Sequence, residues 1–131
     1  MLENDKLLLV FGFKDEEREQ LNSIIQINAL PQCLVITKDM TPMPIKDIID
    51  GLKFQIYNKI VPDEKVILFN NLGDEELDKT IKILRVGLPF KPIMAVVTTT
   101  SMSWTFEYLL EHLMEERERF RSQKRGITKG E

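Results

Sequence analysis

Apolar and polar positions fall in blocks along the chain. Residues 7–11 (Leu7, Leu8, Leu9, Val10, Phe11), 33–37, 66–69 and 93–97 are uncharged runs of four or five. Continuous apolar character at this length predicts strands covered on both faces rather than one-sided hairpin strands. The segments after them have a different period. Leu21, Ile24, Ile25 and Asn28 share one face of a helix that opens at Lys14, Asp15, Glu16 and Glu17 and ends before Pro31. Ile45, Ile48, Ile49 and Leu52 repeat at i, i+3, i+4 and i+7, behind Pro44 at a first helical position. Asp74, Glu75 and Glu76 open a third helix with Leu77, Ile81 and Leu84 inward and Gly87 at its end. A fourth runs over 103–120, with Ser103 as N-cap and Phe106, Leu109, Leu110 and Leu113 on its inner face. Residues 53–64 hold Phe54, Ile56, Tyr57, Ile60 and Val61; they read as packed, without a definite type.

Strand–helix alternation with links too long for hairpins predicts an α/β domain: a four-stranded parallel sheet with right-handed crossovers. Strands one and three are the most apolar and belong in the centre, which yields the order 2-1-3-4. Helices then cover both faces, the first and last on one and the middle two on the other, in a flavodoxin- or receiver-like layout. No internal repeat stands out. The 131 residues suit one domain, here 1–120, followed by a basic, flexible tail over 121–131.

Charge narrows the partners. The chain carries −3 overall, and the tail holds Arg121, Lys124, Arg125 and Lys129 against Glu131, so the first 120 residues sum to −6. An acidic body argues against nucleic acid and anionic membranes. Cys33 is the sole cysteine, so no disulfide forms within the chain. The polar, acidic start is unlike a secretory leader, and the run at 7–13 is too short to span a bilayer, so the cytoplasm is the expected location.

In a parallel α/β sheet, ligands bind beyond the carboxyl ends of the strands. That edge is expected to collect Gly12, Lys14 and Asp15, with Thr37 and Asp39, then Asn70 and Asn71, and Thr98, Thr99, Thr100 and Ser101. The same residue types also serve as helix caps and turn formers. Phosphoacceptor chemistry is not expected, because Asn70 and Asn71 stand where a receiver needs an aspartate. Cys33 lies at the wrong end of its strand for a nucleophile, and no arginine follows it in the loop a cysteine phosphatase requires. His112 with Glu115 and Glu116 lacks further ligands for a metal, and Gly12 alone is no dinucleotide fingerprint. Neither a cofactor nor a metal is called for. Trp104 and Tyr108, four apart on the last helix, are a candidate interface.

Three stretches carry a resemblance: Val10, Phe11, Gly12 and Phe13; residues 66–72; and residues 104–113. They resemble a family of small bacterial α/β proteins described as a domain of unknown function, and the resemblance implies no activity, substrate or catalytic residue. The missing catalytic constellation points away from an enzyme, towards a module binding a small ligand or a protein partner, as monomer or homodimer. The alternative is a small enzyme or phosphate- or nucleotide-handling protein using the strand-end edge.

Overall fold

Leu7–Phe11 and Val66–Asn70 are buried along their whole length, and they form the two central strands. The computed structural model describes residues 6–51 and 62–128, with side chains as far as Arg121. In chain order the elements are β1 (Leu7–Phe11), α1 (Asp15–Asn28), β2 (Gln32–Ile36), a 3-10 turn (Lys38–Met40) and α2 (Ile45–Ile49). There follow β3 (Val66–Asn70), α3 (Asp74–Gly87), β4 (Ile93–Val96), a second 3-10 turn (Ser101–Ser103) and α4 (Phe106–Thr128). The strand order is β2-β1-β3-β4, as expected from burial.

The sheet is not purely parallel. β1 pairs with β2, and β3 with β4, in parallel, but β1 and β3 run antiparallel, with Leu9 opposite Leu68 and Leu7 opposite Asn70. Apolar content places a strand in the middle of a sheet without saying which way it runs, and the long link before β3 suits either direction. α1 and α3 have 14 residues each, about 21 Å of helix, enough to retrace a strand, whereas the five residues of α2 rise only about 7.5 Å.

Strand direction also sets the helix layers. Two crossovers of the same hand on oppositely directed strand pairs place their helices on the same face. α1 and α3 therefore lie together over Leu8, Val10, Ile67 and Phe69, around Leu21 and Leu84. α2 and α4 cover Leu7, Leu9, Phe11, Val66 and Leu68 through Ile45, Ile48, Phe106, Leu109 and Leu110. The expected pairing of first with last helix, and the flavodoxin- or receiver-like layout with it, is corrected accordingly. The fourth helix begins three residues later than its sequence suggested. Thr105, not Ser103, caps it, its Oγ1 accepting the Tyr108 N–H at 3.1 Å.

The chain repeats itself, which its residues did not disclose. β1 and α1 recur 59 positions on as β3 and α3, and β2 and the start of α2 recur 61 positions on in β4 and α4. The β1–β3 register is symmetric about Leu9 and Leu68, themselves 59 apart. Gly12 and Asn71, equivalent by the same offset, both have positive φ, +83° and +63°. The Thr37 N–H donates to Met40 Sδ as the Thr98 N–H donates to Ser101 Oγ. A pseudo-twofold axis passes the Pro44–Thr105 bridge, flanked by reciprocal bonds from Ile45 N–H to Trp104 O and from Phe106 N–H to Met43 O. Core positions correspond in kind (Ile45, Ile48 and Ile49 with Phe106, Leu109 and Leu110), so burial selects the same residue classes without the same residues.

Candidate functional site

The reversal of β3 splits the strand-end residues into two groups. Gly12, Lys14, Asp15, Thr37 and Asp39 lie beyond the carboxyl ends of β1 and β2; Asn70, Asn71 and 98–101 lie at the opposite edge, beyond β3 and β4. The strands between span about 14 Å at the usual rise. Lys14, Asn70 and Thr98 therefore do not converge.

At the second edge the polar groups are turned inward. Asn70 is 0% exposed. Ser101 is buried; its Oγ accepts the Thr98 N–H at 2.9 Å, and its own N–H donates to Thr98 Oγ1 at 3.0 Å. Thr99 and Thr100 are exposed on the turn. This loop caps itself.

The first edge holds a crevice of about 300 Å3. Its floor is apolar, from Val10, Phe11, Val35 and Ile36, and Gly12, Phe13 and Thr37 form its wall. Arg18, Lys38 and Asp63 stand at the rim, three residues absent from the sequence-based set. Only their folding onto one edge brings them together; the i, i+3 spacing of Asp15 and Arg18 was the one legible sign. Asp15 bonds Arg18, and Lys38 has no ion pair among the described residues. Lys14 caps α1 instead of entering the crevice, its N–H donating to Glu17 Oε1 at 2.8 Å. An anion directly at the helix start is opposed by Asp15, Glu16 and Glu17, which already complement the dipole.

Backbone proximity fixes this edge. A Cβ on Gly12 would stand 1.9 Å from Glu64 O and 2.8 Å from its carbonyl carbon. Two ion pairs tie the segment leading into β3 to the helices on either face. Arg117 of α4 grips Glu64 with both terminal nitrogens, at 3.0 and 2.6 Å, and Lys65 meets Glu17 of α1. The hydrogen bonds from Arg117 outweigh desolvation and hold the Glu64 carboxyl below the usual carboxylate range. For Glu17, burial raises the pKa, but the Lys14 N–H and the Lys65 ammonium together pull it lower still.

Cys33 is half-buried on β2, and desolvation, only partly countered by Arg18, pushes its thiol up to about 11. Among the described residues no three His, Cys, Asp or Glu side chains cluster to hold a metal. Trp104 and Tyr108 meet edge to face with centroids 4.8 Å apart, and His112 extends the row, its Nε2 3.1 Å from Glu116. Tyr108 is 51% exposed, whereas Trp104 also packs on the core beside α2 and α4. Of residues 53–64, read above as packed, 53–61 lie outside the described residues. No helix among the described residues is long and apolar enough to cross a membrane.

No curated protein and no solved structure matches the chain. One family model does match, over the second of the two pseudo-symmetric units: residues 65–120 are similar to the domain described as Domain of unknown function (DUF3783).

Proposed function

We propose that this protein is a non-catalytic binding module whose ligand, a small molecule bearing a carboxylate or phosphate, enters the crevice beyond β1 and β2. The observation that carries the reading is the contrast between the two pseudo-equivalent edges. Where the first presents Arg18 over an apolar floor, the second has Leu77 at the matching position, and where the first presents Lys38 the second has the uncharged Thr99. Two cations set over apolar strand ends suit an anionic ligand with an apolar body. Gly12 forms part of this wall; Lys14 and Asp15 act at one remove, by starting α1 and by holding Arg18.

A thermal-shift screen of small carboxylates, phosphates and nucleotides at millimolar concentration tests it. A ligand bound only by the folded chain raises the melting temperature. Arg18→Ala and Lys38→Ala should each remove the rise, and Lys14→Ala should leave it. No shift with any compound, or a shift insensitive to both variants, refutes the crevice as the site.

A second reading, protein interaction through Trp104 and Tyr108, is favoured by the exposed tyrosine in the aromatic row. Light scattering at micromolar concentration tests its homodimer form. A dimer that Tyr108→Ala dissociates supports it, and a monomer throughout removes it.

A further inference from the structure

A large, mainly apolar cavity lies away from the crevice, at the amino end of β4. It encloses about 760 Å3, between the end of α3, the link into β4 and the last described turns of α4. Leu88, Phe90, Met94 and Phe120 supply its large apolar side chains. Phe120 is 66% exposed, a large aromatic surface left in water. Phe90 is not free to turn and close the space: its ring meets Phe13 edge to face at 5.1 Å, and the Lys65 ammonium lies 4.7 Å from its centroid.

Two cations border this cavity, Arg85 and Lys91. Neither has an ion-pair partner among the described residues, which is also true of Lys46, Lys79 and Arg119, whereas Arg18, Lys82 and Arg117 are paired. The pseudo-symmetry again supplies a control. The positions matching Arg85, Leu88 and Met94 in the first unit are Gln26, Ala29 and Cys33, so that unit carries neither this cation nor the apolar bulk. Every residue of the cavity lies within 65–120, the stretch that matches the family of unknown function.

We infer that this cavity is a second binding site, for an amphipathic anion: an aliphatic chain against Leu88, Phe90, Met94 and Phe120, with its carboxylate between Arg85 and Lys91. An apolar body loses contact with water by entering the cavity, and a carboxylate head offers the two unpaired cations the partner they lack. A volume of this size falls within the range of roughly 300–1,000 Å3 typical of small-molecule sites. The cations make the site selective for the sign of the head group, which a purely apolar groove would not be.

The test uses the full chain and three probes of equal chain length below their micelle-forming concentrations: dodecanoate, dodecanol and dodecyltrimethylammonium. Calorimetry is expected to give saturable one-to-one binding of dodecanoate, weaker binding of dodecanol and none of the cationic probe. Amide shifts in a proton–nitrogen NMR spectrum should centre on residues 85–94 and Phe120. The double variant Arg85→Gln, Lys91→Gln alters only exposed side chains; it should keep the melting temperature and bind dodecanoate at least about tenfold more weakly. Three results would each overturn the inference: no saturable binding of dodecanoate, equal binding of the cationic probe, or shifts centred on Gly12, Arg18 and Lys38. Only the last would bear on the β1–β2 crevice, so the two sites fail separately.

Discussion

Replacing Gly12 by alanine probes the contact that joins the two halves of the chain. Gly12 has φ +83°, and its missing Cβ would lie 1.9 Å from Glu64 O and 3.2 Å from Lys65 Cα. A side chain at such a φ costs about 1–2 kcal/mol. The clash adds more, because both neighbours are backbone at the entry to the fully buried β3 and cannot rotate aside; overpacking of this kind costs about 1–3 kcal/mol. The expected loss is therefore about 2–5 kcal/mol, a large share of the roughly 5–15 kcal/mol of a small domain. Gly51 separates the two contributions: its φ is +78° and no atom lies within 4 Å of the Cβ position. Gly51→Ala should cost only the conformational part, about 1–2 kcal/mol. Urea unfolding followed by circular dichroism, with equal slopes for both variants, gives the comparison. If Gly12→Ala costs no more than Gly51→Ala, the close approach of Gly12 to Glu64, and with it the entry geometry of β3, is wrong.

Leu68→Ala, at the pseudo-twofold centre of the sheet and 0% exposed, should lose about 2–5 kcal/mol in the same assay, and a loss below about 1 kcal/mol would contradict its burial. Thr80 is buried on α3 with no partner for Oγ1 among the described residues, so Thr80→Val should stabilise by about 1 kcal/mol; a drop in the unfolding midpoint would reveal a hidden partner. Glu64 has its pKa depressed in the folded chain by Arg117, so its contribution is complete above the unfolded carboxyl value, near 4.3, and is lost as pH falls through the lower folded value. Glu64→Gln should thus cost about 1–3 kcal/mol at pH 7 and flatten the fall of melting temperature on acidification; an unchanged acid limb would show that the pair does not hold in solution. Cys33, with its thiol near 11, should ionise several pH steps above neutrality by thiolate absorbance, and rapid alkylation at pH 7 would contradict its desolvation.

Much of the fold was legible residue by residue. The charge-free runs at Leu7–Phe11 and Val66–Asn70 announced central strands, because a strand enclosed on both faces has no place for a charge. Asp15, Glu16 and Glu17, and again Asp74, Glu75 and Glu76, marked where α1 and α3 begin, since carboxylates gather at the positive end of a helix. Of the core residues expected, Leu8, Val10, Ile67, Leu68 and Leu109 are buried, while Ile81 and Leu113 are only partly covered at the margins of their layers. Even the repeat left a trace in those two acidic triplets, too short to be read without the register.

Tertiary structure alone decided the direction of β3, and the splitting of the strand-end residues into two groups follows from it. Burial is a scalar property: Val66, Ile67 and Leu68 are as well covered pointing up as pointing down. The antiparallel β1–β3 pair put Asn70 and Thr98 at one edge and Gly12 at the other. The same choice brought Asp63, ahead of β3, to the crevice that Arg18 and Lys38 share beyond the parallel β1 and β2. Side chains far apart in sequence become a site only through the packing that sets which ends of which strands are neighbours, and no local period encodes that.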